Sequence, residues 1–121
     1  MSLLPVSSHR TLDFVTVVGF AIAPFVLPLS AIAAWLAWGL AVVHLVMTLG
    51  TAFSDTSNAP VSLRLHASVE LLVGIALAAL PFVAGWSGTD RWFYVIAGVV
   101  ILLIRFGSRL PGRRRSRIAS A

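Results

Sequence analysis

The stretch from residue 9 to residue 26 reads HRTLDFVTVVGFAIAPFV, and the stretch from residue 66 to residue 83 reads HASVELLVGIALAALPFV. Each opens on a histidine, carries an acid four residues later, runs on through apolar residues and closes on Pro-Phe-Val. Helical runs of ~20 apolar residues are long enough to cross a hydrocarbon core of ~30 Å. A shift of 57 positions superposes His9 on His66, Asp13 on Glu70, Pro24-Phe25-Val26 on Pro81-Phe82-Val83, Ser30 on Ser87 and Trp35 on Trp92. Rare residue types that coincide in an apolar background point to tandem duplication of a two-helix hairpin.

Working outward from these stretches, four apolar runs are expected to span a membrane: residues 12–29, 31–49, 65–84 and 92–104, the last starting as early as Asp90 or Arg91. Pro28-Leu29-Ser30 leaves room only for a tight turn between the first two, and residues 85–90 join the last two. The fold expected is all-α, a single membrane domain over residues 1–121. Repeat 1 occupies 9–50, a polar cytoplasmic loop 51–60, repeat 2 61–107 and a basic cytoplasmic tail 108–121. Two spans per unit give both halves one orientation, so the pseudo-two-fold axis is expected along the membrane normal, with the repeats parallel. Asp13 and Pro24 interrupt the first run and only Arg10 precedes it closely, which speaks against a cleaved secretory signal.

Composition narrows the function classes. Of 121 residues 59% are hydrophobic and 11% charged, with a mean hydropathy of +0.97, unlike a soluble domain of this length. The absence of cysteine removes disulfides, thiolate metal sites, iron–sulfur clusters and cysteine nucleophiles. The formal charge of +5 comes largely from arginines near the C-terminus. Without interleaved aromatics that tail does not read as a nucleic-acid surface. Arg109, Arg113, Arg114, Arg115 and Arg117 instead suit anionic lipid, at ~1 kcal/mol per basic residue near the surface. Arg10, Arg64, Arg105 and the tail arginines lie on the side of both termini and Arg91 alone lies opposite, so both termini are expected in the cytoplasm.

The second half, from Gly74 through Leu80-Pro81-Phe82-Val83-Ala84-Gly85-Trp86-Ser87 and on from Trp92 to Gly98, resembles the SPW-repeat proteins. These are small bacterial membrane proteins built of two-helix units with a Ser-Pro-Trp signature. At the signature this chain has Ala23-Pro24-Phe25 in one half and Leu80-Pro81-Phe82 in the other. The resemblance implies a bacterial cytoplasmic-membrane protein and carries no activity with it.

Ionisable side chains within a bilayer cost several kcal/mol unless paired or hydrated, so the ones present demand an account. His9 and Asp13, like His66 and Glu70, are spaced i, i+4 and share a helix face. Asp13, His44, Glu70 and Arg105 fall at similar depth, and with His66 they are the expected polar intramembrane cluster. One reading has the acids neutralise Arg105 and the histidines and so fix helix order; Arg105 could alternatively snorkel to the headgroups. A second has His9, Asp13, His66 and Glu70 bind a metal, although bundle sites use Glu-x2-His rather than His-x3-acid. Haem on His44 and His66, or proton and ion movement through the acids and histidines, are further readings.

No nucleophile–base–orienter set stands out, since Ser68 is offset by two from both His66 and Glu70. Ser54, Asp55, Ser57, Asn58 and Ser62 read as turn and capping residues. Small residues at i, i+4 spacing around residues 31–39 and 74–79 suit close helix packing. Trp35, Trp86 and Trp92 suit the headgroup level. The chain is thus expected to be non-enzymatic and without a cofactor, a structural or accessory subunit within a membrane complex or a homo-oligomer. The alternative is a proton-, ion-, metal- or haem-handling protein built on the same cluster.

Overall fold

The computed structural model describes residues 6–51 and 61–107. They form four helices, α1 (Val6–Val26), α2 (Ala31–Leu49), α3 (Leu63–Val83) and α4 (Gly88–Gly107). α1, α2 and α3 are long and apolar enough to cross a membrane. α4 is as long but carries Asp90, Arg91 and Arg105. The expected loop residues 52–60, with Ser54, Asp55, Ser57 and Asn58, and the tail arginines Arg109, Arg113, Arg114, Arg115 and Arg117 lie outside the described residues.

Local chemistry sets the boundaries. Ser30 and Ser62 sit extended before α2 and α3, and their hydroxyls accept the N–H of Ala33 and of Leu65, satisfying donors that a helix start leaves open. α1 begins several residues ahead of its apolar run, so His9 lies within the helix. Pro24 and Pro81 fall inside α1 and α3 near their ends. Past α3, Gly85 takes a left-handed φ of 71°. That lets the Trp86 N–H reach back to the Pro81 carbonyl at 2.8 Å, the long bond of a Schellman-type helix end. At the opposite end, the Val61 N–H donates to the Gly50 carbonyl at 2.9 Å, which holds the end of α2 beside the entry to α3.

Packing is closest within each hairpin, α1 on α2 and α3 on α4. Gly74 and Gly98 make the second contact possible. A Cβ on Gly98 would stand 2.6 Å from both the Ala78 nitrogen and the Gly74 carbonyl oxygen, so the two backbones touch where no side chain fits. The core takes Val17 and Phe20 from α1, Ala33, Ala37 and Ala41 from α2, Leu77 from α3, and Tyr94 and Ile101 from α4. The three alanines repeat every four residues on one face of α2, and that spacing brings its neighbours in close.

Outside the polar end the two hairpins meet through the side chains of this core and through a few polar and aromatic contacts. The Tyr94 hydroxyl donates to the Ala33 carbonyl at 2.5 Å, the Ser30 N–H donates to Asp90 Oδ1 at 2.9 Å, and the Phe20 and Phe93 rings meet edge-on. The outer surface carries exposed Phe25, Trp35, Leu72, Phe82, Val83 and Trp92, a lining suited to lipid rather than water. An apolar groove of about 760 Å³ runs between α1 and α4 past Gly19, Phe20, Trp92 and Ile96.

Gly98→Ala is expected to cost about 1–3 kcal/mol by forcing α3 and α4 apart. Gly39→Ala, where a Cβ meets nothing within 4 Å, is expected to be neutral or slightly stabilising. Thermal unfolding of the two variants in detergent checks the difference.

Candidate functional site

The polar residues converge at the end of the bundle where α1 and α3 begin and α2 and α4 finish. An i, i+4 spacing puts His9 above Asp13 on one face of α1 and His66 above Glu70 on one face of α3. The two faces meet, and His44 enters from the last turns of α2. His9, Asp13, His66 and Glu70 are all at most 2% exposed.

The Nε2 atoms of the histidines all point at the two carboxylates. His66 Nε2 lies 2.8 Å from Glu70 Oε1 and 3.1 Å from Asp13 Oδ2. His9 Nε2 lies 3.1 Å from Glu70 Oε2 and 3.3 Å from Asp13 Oδ2. His44 Nε2 stands slightly off, 3.5 Å from Asp13 Oδ1 and 3.9 Å from Glu70 Oε1. The rings of His9 and His44 each meet that of His66 edge-on, with centroids 5.8 and 5.9 Å apart.

Thr51, expected in the loop, belongs to this site. Its hydroxyl lies 2.7 Å from His66 Nδ1 and donates its own hydrogen to the Met47 carbonyl. The oxygen is therefore the acceptor and His66 Nδ1 carries a proton. That bond orients the ring and turns Nε2 toward the acids. A threonine just past a helix end gives no sequence signal for this role, because its partner sits 15 residues on.

Hydrogen bonds do not satisfy the centre. Glu70 Oε1 is approached by both His66 and His9. Among the described residues, Asp13 Oδ2, Glu70 Oε2 and His44 Nε2 are buried with no hydrogen-bond partner. Arg105 does not supply the missing charge. Its Nε donates to the Ala67 carbonyl at 3.0 Å, and among the described residues it forms no ion pair. Of the residues expected in one layer, Asp13, His44 and Glu70 meet together with His9 and His66, whereas Arg105 of α4 bonds a carbonyl of α3.

A cavity of about 30 Å³ borders His44 and Glu70. Beyond the centre the core is formed by Val17, Phe20, Ala37, Ala41, Leu77 and Ile101, with the buried Tyr94 farther on. Ser68 donates to the Arg64 carbonyl on an exposed face, away from any base.

Thr51→Val is expected to lower stability by about 1–3 kcal/mol, because the His66 N–H loses its acceptor in a buried site, while Thr51→Ser retains most of it. Unfolding midpoints of the two variants test the assignment. Comparison of the chain with models of protein families, with curated proteins and with solved structures finds no match.

Proposed function

We propose that this chain is a non-enzymatic integral membrane protein of four spanning helices, two copies of one hairpin. In this reading it serves as a small structural or accessory subunit, as a homo-oligomer or within a larger membrane complex. The observation that carries the proposal is the centre itself. Side chains of α1, α2 and α3 meet there in ion-pair contacts, whereas close backbone packing stays within each hairpin. In a medium that gives apolar helices no reason to associate, buried polar contacts are what select one arrangement of the hairpins.

Helix boundaries support the repeat. α1 and α3 start at 6 and 63 and end at 26 and 83, and α2 and α4 start at 31 and 88, the same offset that aligns the sequence. α4 then takes its place as a fourth span by equivalence with α2, its Asp90 and Arg91 at one end and Arg105 at the other. Arginine placement supports a bacterial cytoplasmic membrane with both termini inside, and the SPW-like signature positions are consistent with that home. The exposed apolar surface is the contact offered to lipid and to neighbouring subunits.

Asp13→Asn and Glu70→Gln each leave buried groups uncompensated and are expected to cost about 3–5 kcal/mol. The loss should appear in detergent melting curves together with loss of oligomers or co-purifying subunits in native mass spectrometry. Variants that melt like the parent and keep their partners would sink the structural role. For topology, a fluorescent protein fused after the tail is expected to fluoresce, and a phosphatase that folds only outside the cytoplasm is expected to be active when inserted at Ser87.

A further inference from the structure

We propose that His9, Asp13, His66 and Glu70 together hold one borderline divalent transition-metal cation of the zinc(II) or iron(II) class, with His44 as an adjacent third imidazole. One donor atom from each of the four lies within 4.8 Å of the other three. A tetrahedral ion with bonds of ~2.0–2.1 Å sets its donors ~3.3–3.4 Å apart. The nitrogen-to-oxygen separations to Asp13 Oδ2 and Glu70 Oε1 are 2.8 to 3.3 Å, and binding opens the shortest by about half an ångström while drawing in the wider pairs, which lie within 4.8 Å.

Charge points the same way. Two carboxylates at most 2% exposed require compensation in an apolar surrounding, and Arg105 is turned to a backbone carbonyl. A dication bound by two carboxylates and neutral imidazoles leaves the centre without net charge. It also takes up the lone pairs of Asp13 Oδ2 and Glu70 Oε2, which no hydrogen bond among the described residues uses although they face the histidines.

The imidazoles are prepared for this role. Thr51 holds the proton of His66 on Nδ1, so in the neutral ring the Nε2 lone pair faces the carboxylates 2.8 and 3.1 Å away. Lone pair against lone pair is repulsive, and a cation between them, the proton of an ion pair or a metal, removes the repulsion. A metal-ligating histidine fixed through its other nitrogen is the usual arrangement. The donor type narrows the ion further. Without thiolates the set does not suit copper(I), and calcium or magnesium would call for oxygens throughout.

His44 breaks the repeat, since the residue 57 positions on is Ile101. Its Nε2, buried and without a hydrogen-bond partner among the described residues, is placed to become a fifth ligand or to replace a carboxylate. The cavity of about 30 Å³ between α2 and α3 borders both His44 and Glu70, leaving the ion one side not covered by its four ligands.

The test uses the full chain, extracted from its membrane in mild detergent without chelator and analysed for metals by mass spectrometry. About one zinc or iron per chain is expected. After chelation, titration with cobalt(II) is expected to raise ligand-field bands that saturate at the same ratio. His66→Gln and Glu70→Gln should abolish them, and Thr51→Val, which keeps all the ligands, should weaken binding by about 10–100-fold. Metal-free protein that develops no cobalt bands would overturn the proposal, as would equal uptake by parent and His66→Gln, which would mark adventitious binding elsewhere. Either result leaves the structural role of the centre standing if the parent still melts cooperatively and keeps its oligomer. That role fails separately, through the stability of the Asp13 and Glu70 variants.

Discussion

Asp13 and Glu70 come from different hairpins and share a volume from which water is excluded, so their negative charges must be answered on the spot. Three imidazoles converge on them, and the rest of this end of the bundle is arranged around that convergence. The entry of α1 is drawn out past its apolar run so that His9 reaches Glu70 at 3.1 Å. The end of α2 is pinned to the entry of α3 through Gly50 and Val61, which brings Thr51 under His66. Arg105, expected to join the acids, donates instead to a carbonyl on α3.

The two ends of the bundle solve different problems. At the far end Tyr94, Asp90 and Ser30 tie the hairpins through single hydrogen bonds to backbone, each worth about 1 kcal/mol net. Between the ends, the alanines of α2 and the Gly74–Gly98 contact let helices approach until backbone meets backbone. That packing gives rigidity within a hairpin but little to choose between ways of docking one hairpin on the other. In the proposed role the choice falls to the charged centre, where a wrong arrangement leaves a buried carboxylate alone at a cost of several kcal/mol.

Much of this was legible from residue order. The His-x3-acid pairs are a local property, because a helix places i and i+4 on one face whatever surrounds it, and each pair does share a face. Ser62 as a cap and the small residues as packing surfaces were legible for the same reason. His9 was harder, since the apolar run that marks a span starts beyond it. The position of Arg105 was also beyond reach. Depth along a helix follows from counting residues, but azimuth around the bundle does not, and azimuth decides whether a guanidinium meets an acid or a carbonyl.

By itself the sequence determined that the chain is helical, that at least three of its helices are long and apolar enough to cross a membrane, and which ionisable residues must be accommodated among them. Hydropathy and helical period are local, and they are written in consecutive residues. Only the tertiary structure decided that five of those residues come to one point, that Thr51 sets the tautomer of His66, and that lone pairs remain for a cation to use. Those facts depend on how one hairpin is rotated against the other, and contacts across 15 to 61 residues of chain leave no periodic trace in the sequence that makes them.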